Sequence, residues 1–155
     1  MDKWKNLTKT KKILYIVLIC IAILVIYMIA CSVTEFNQEK QLDSIILPNG
    51  FGDKSISHWG SNTPLYLIAD YEEDSEISLT VEFGSELPEG SSKISDDQPF
   101  YQTRYGVCEI VELNGETYIV KVSKVLGERS SNFTLSCVDI LSEFNNLNNA
   151  KIIDK

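Results

Sequence analysis

The chain has 155 residues, with 14 Lys or Arg against 22 Asp or Glu and a formal net charge of −8. That balance excludes the basic footprint of a nucleic-acid-binding protein and repels anionic lipid headgroups. A single histidine and no Cys-x-x-Cys spacing exclude the usual tetrahedral zinc sets, and no cofactor is expected.

Residues 1–12 form a basic head carrying Lys3, Lys5, Lys9, Lys11 and Lys12. Residues 13–30 follow as eighteen uncharged, strongly apolar residues, twelve of them Ile, Leu or Val. As a helix they extend about 27 Å, close to the roughly 30 Å hydrocarbon core of a bilayer. Tyr15 and Tyr27 stand near the two ends, with Trp4 just outside, at the depths where amphipathic rings prefer to lie. The lysines precede the run and only Lys40 follows closely, so the N-terminus is expected in the cytoplasm and residues 31–155 on the outer face of a bacterial membrane.

Three fates compete for this segment. An uncleaved anchor suits its length and basic head, whereas ordinary secretory cleavage wants a shorter apolar region and small residues before the cut. Met28, Ile29, Ala30 and Cys31 resemble the bacterial lipoprotein signal, a resemblance of four residues that implies lipidation of Cys31. The large Tyr27 departs from that pattern. All three fates export the same domain.

Beyond the membrane, residues 31–155 hold nine basic and twenty-one acidic side chains, a net charge of −12. Residues 31–44 read as a polar stalk or continued helix, and 45–155 as one extracytoplasmic domain large enough for a core without metal or disulfides. Ile45 to Leu47 run into the Pro48, Asn49, Gly50 turn signal, and residues 50–63 read as an irregular loop holding His58 and Trp59. Leu65 to Ala69 and the alternating Ile77, Leu79, Val81 and Phe83 predict a hairpin with an exposed acidic tip. Residues 84–99, with two prolines, read as a long loop, either mobile or functional.

Asn114 and Gly115 between two strand-like runs predict a type I′ hairpin, whose turn demands positive φ at both positions. Leu135, Val138, Leu141, Phe144 and Leu147 recur every third residue and predict a C-terminal helix, after which the Asn-rich tail is expected to fray. The fold class is therefore α+β: a transmembrane or lipoprotein-signal helix, then a small antiparallel sheet of four to six strands covered on one face by the C-terminal helix.

Candidate sites are few. Cys108 and Cys137 are the domain's cysteine pair, either a disulfide closing a loop of about thirty residues or two buried thiols. His58 lacks a nucleophile or carboxylate motif at diagnostic spacing, so a loop role outweighs a catalytic one, while Trp59 suits partner contact. Glu72, Glu73, Asp74 and Glu76 at the acidic tip, with Asp96 and Asp97 beyond, match no EF-hand loop; solvation is their first reading and attraction of a cationic partner their second. No phosphate loop, nucleophile elbow or metalloprotease helix occurs. The expected role is a non-enzymatic membrane-tethered binding protein, with self-protection against a secreted toxin as one concrete form. An accessory subunit of a larger membrane complex is the alternative.

Overall fold

A computed structural model describes residues 8–58, 63–124 and 131–155. The chain divides into two compact units, Met1–Gln38 and Glu39–Lys155. The first is the greater part of helix α1 (Lys9–Asp43), which contains the apolar run and continues unbroken through Cys31. It is long and apolar enough to cross a membrane, with a mean hydropathy of 3.2 in its best window and none of that window buried. Residues 31–43 continue this helix, and Ser44 follows its end.

The second unit is an antiparallel sheet with a helix on one face. Among the described residues eight strands form it: β1 (Ser55–His58), β2 (Leu65–Tyr71), β3 (Asp74–Phe83), β4 (Ser92–Ser95), β5 (Gln98–Gln102), β6 (Gly106–Leu113), β7 (Glu116–Lys124) and β8 (Lys151–Ile153). Their order is β1-β2-β3-β7-β6-β5-β4, with β8 pairing β6 beyond its β5 contact. Helix α2 (Ser131–Asn148) packs on β6 and β7.

Strand parity assigns the two faces. Leu67, Leu79, Val81, Val107, Val111, Tyr118, Val120 and Val122 point to the helix-covered face and share one core with Cys137, Leu141 and Phe144 of α2. Leu42, Ile45 and Phe51 complete this core, so the last residues of α1 belong to the second unit. A smaller cluster of Tyr101, Cys108, Ile110 and Ile119, with Leu87 against it, lies on the opposite face.

The Asn114-Gly115 hairpin forms as the sequence predicts, with φ of 53° and 85° at those two residues. Three expectations fail, and for one physical reason. Residues 50–63 contain β1, residues 84–99 contain β4 and the start of β5, and the tail pairs as β8 instead of fraying. These strands of three to five residues are defined by backbone pairing at the margins of the sheet, without the long apolar alternation that marks β3 or β7.

The helical stripe also needs correction. Leu141 and Phe144 are buried, but Leu135 is 63% exposed and Leu147 is 38% exposed. An every-third-residue pattern slips about 60° per step around a helix of 3.6 residues per turn, so it cannot remain on one face over four steps. The buried line runs instead through Cys137, Leu141, Phe144 and Asn145. The helix then stops in a Schellman arrangement: Asn149 has φ of 50° and the Ala150 amide donates to the Asn145 carbonyl.

Candidate functional site

Strand order dictates a concavity on the face without the helix. The connection from β3, at the middle of the sheet, to β4, at its edge, must cross β7, β6 and β5. It does so over this open face, where Leu87 packs on the Cys108, Ile110 and Ile119 cluster. Only part of the face is roofed. Beside the crossing chain lies a cavity of about 590 Å³, within the range of ligand and side-chain-accepting pockets.

Its floor is polar because β3 and β7 alternate. Ser78 and Thr80 stand opposite Ser123 and Lys121 on the same face. The Ser78 and Ser123 hydroxyls lie 3.3 Å apart, and Lys121 donates to Glu82 across a diagonal of the sheet at 2.8 Å. Ile68 from β2 supplies an apolar margin. The walls are Pro88 and Glu89 of the crossing segment on one side and Thr103, Arg104 and Tyr105 on the other.

Both walls are held in shape by local chemistry. The Ser91 amide donates to the Pro88 carbonyl, and Gly90 carries φ of 77° at the third position of that turn, where a positive φ favours glycine. On the other wall the Thr103 and Gly106 backbones pair, and the Tyr105 and Gly106 amides both donate to the Thr103 hydroxyl. This tight turn projects Arg104 and Tyr105 outward. Tyr105 is 52% exposed, and the Arg104 guanidinium lies 5.2 Å from its ring centroid. No carboxylate among the described residues pairs with Arg104. The pocket thus joins an exposed aromatic, a guanidinium without an ionic partner among the described residues, and a hydroxyl-lined floor, which suits a projecting polar side chain or a similarly sized group.

Other candidates separate. His58 lies on exposed edge strand β1, its Nδ1 3.2 Å from the Thr63 carbonyl, and Trp59 lies outside the described residues. The acidic tip is divided. Asp74 bonds Lys124 at 2.7 Å and Glu76 reaches the same ammonium at 3.4 Å, while Glu72 and Glu73 stay exposed and form no ion pair among the described residues. Lys124 and the Glu76 amide hold the Asp74 carboxyl below the usual carboxylate range. Among the described residues no three His, Cys, Asp or Glu side chains gather to hold a metal. Cys31 is exposed on α1.

Cys108 and Cys137 are free thiols. Cys108 belongs to the open-face cluster and Cys137 to the core beneath α2, so the sheet itself stands between them. The loop length that allows a disulfide does not bring them together. Burial pushes the Cys108 thiol up to about 11 and the Cys137 thiol up to about 12.

Two residues absent from the sequence reading are chemically the most unusual. Glu109 on β6 is fully buried beneath α2, and the Asn145 side-chain amide donates to both of its carboxyl oxygens at 2.9 Å. The signal was present: Glu109 shares parity with Val107 and Val111 in an apolar run, which sends it to the core face. Pocket residues Ser78, Thr80, Lys121 and Ser123 were similarly available from alternation, but the Arg104-Tyr105 wall carries no sequence signature. No protein-family model, curated protein or solved structure matches this chain, so its function is read from these residues alone.

Proposed function

We propose that this chain is a non-enzymatic binding module, tethered to a bacterial membrane by α1, which presents the open-face pocket to a protein partner outside the cell. The pocket carries the reading. Arg and Tyr side chains recur as anchors of protein interfaces, and here the two stack at the mouth of a cavity on a rigid sheet. The partner inserts a side chain with an acidic or amide end toward Arg104 and the Ser78 and Ser123 hydroxyls. The net charge of −12 on residues 31–155 attracts a partner of opposite overall charge and speeds encounter. Self-protection against a secreted toxin is the concrete form this reading takes, since a small acidic domain held at the outer face meets an incoming protein where it arrives.

The test is a photo-crosslinking amino acid in place of Tyr105, installed in the full-length chain in its native membrane. A discrete adduct that disappears with Arg104→Ala is expected. Absence of any adduct at this position, or adducts indifferent to Arg104, would overturn the reading.

A second reading, an accessory subunit of a larger membrane complex, rests on α1. Large apolar residues from Ile13 to Ile29 are each between 46% and 67% exposed, which leaves the whole circumference of the helix open to lipid or to other helices.

A further inference from the structure

We propose that Glu109 and Asn145 form a proton-operated latch: the protonated carboxyl holds the last turns of α2 on β6, and its ionisation releases them together with β8. Two observations on geometry carry this. Glu109 is a fully buried carboxyl with no Lys, Arg or His ion-paired to it among the described residues. Asn145 Oδ1, on the same amide that donates to Glu109, is buried with no hydrogen-bond partner among the described residues.

Those two anomalies have one remedy. A carboxylate only accepts, so an ionised Glu109 has no donor to offer Asn145 Oδ1. A protonated Glu109 has an O–H to donate. A small rotation of the amide then gives a cyclic pair, with Glu109 O–H donating to Asn145 Oδ1 and Asn145 Nδ2–H donating to the other carboxyl oxygen. Both buried groups are satisfied at once. Ionisation loses the O–H bond to Asn145 Oδ1 and places a charge in the core that only the Asn145 Nδ2–H donation offsets, and the cost of burying that charge outweighs the offset, which disfavours the closed interface.

Among the described residues the surroundings add no counter-charge. On β6 itself Val107 and Val111 flank Glu109, and Val120 of β7 stands opposite. Among the described residues the buried titratable groups on this face are the Tyr118 phenol of β7 and the Cys137 thiol of α2, both kept neutral by burial, while Tyr71 of β2 packs half-buried against the same core and Glu116, at the exposed start of β7, acts on Tyr118. The acids of α2 are directed elsewhere: Asp139 is exposed and Glu143 accepts from the Asn49 amides. On β8 and the tail, Lys151 pairs with Glu112 and Asp154 pairs with Lys93. The last turn of α2, beside Asn145, carries the negative end of the helix dipole, which also opposes ionisation. Burial accordingly pushes the Glu109 carboxyl up to about 7.

The latch has a defined reach. Asn148, in the same last turn, bonds both the amide and the carbonyl of Ile46 at 2.8 Å. Release of this turn therefore frees residues 45–49 as well as β8. An external domain with such a latch changes order across the neutral pH range.

Hydrogen–deuterium exchange on the full-length chain in detergent tests it, with rates corrected for the intrinsic pH dependence of exchange. A carboxyl raised from 4.5 to about 7 in the closed state makes opening roughly tenfold more frequent at about pH 8 than at about pH 6. That loss of protection is expected in residues 141–153 and 45–49 of the wild type and is expected to vanish in Glu109→Gln. Equal protection of the wild type at both pH values, or the same pH dependence in Glu109→Gln, would overturn the latch. Should the variant not fold, the infrared carboxylic-acid C=O band of the wild type decides. It is expected at about pH 6, where exposed acids are ionised, with loss by about pH 9, and its absence at about pH 6 refutes the proposal.

Discussion

Gly106 sets the geometry of the pocket wall by having no side chain. A Cβ there would lie 1.9 Å from the Val122 carbonyl oxygen, because the start of β6 presses directly on the β7 backbone. That close approach turns the Thr103 to Gly106 segment outward and displays Arg104 and Tyr105. The thiols show how a neighbouring side chain is silenced by similar crowding. Cys108 and Cys137 are both fully buried, on opposite sides of the sheet, and their burial favours the unreactive protonated form. Maleimide at about pH 7 is therefore expected to leave both unmodified in the folded chain and to modify both after denaturation without reductant. Mass spectrometry of the digested protein reads this directly, and a Cys108 to Cys137 disulfide would block both sites until reduced.

At the level of elements, legibility in the sequence follows how each element is stabilised. The β2–β3 and β6–β7 hairpins were readable because their strands alternate and one turn is spelled Asn-Gly. Edge strands β1 and β4 and the short β8 were not, since their pairing depends on backbone bonds that almost any sequence can make. Polar Ser78 and Thr80 look like solvent-facing positions, and only the walls beside them, Pro88 and Glu89 on one side and Thr103 to Tyr105 on the other, turn that face into a cavity. For α2 the existence of the helix was legible, but its buried line was misplaced by a three-residue repeat. The correction has an energetic consequence. Leu141→Ala removes a fully buried side chain and is expected to destabilise the domain by about 2 to 5 kcal/mol, while Leu135→Ala on the exposed flank should stay within about 0.5 kcal/mol. Thermal unfolding of the two variants separates these cases, and equal effects would restore the original stripe.

For the whole molecule, the question is whether α1 acts as a tether or as a contact surface. Twelve Ile, Leu or Val residues, each contributing roughly 0.3 to 0.6 kcal/mol, favour insertion by several kcal/mol, and no charge between Ile13 and Ala30 opposes it. Hydrophobicity of this kind places a helix in lipid without specifying what it touches, because lipid tails and apolar side chains solvate it about equally. Contact in a larger complex would instead depend on which residues occupy each position. Replacing Ile13 to Ala30 with an unrelated, equally apolar eighteen-residue sequence preserves the first property and erases the second. The tethered-module reading expects the variant to remain in carbonate-washed membranes and to give the same Tyr105 crosslink as the wild type. Retention in the membrane with loss of that crosslink would show that the order of residues in α1 governs partner engagement, and would favour the accessory subunit over the module.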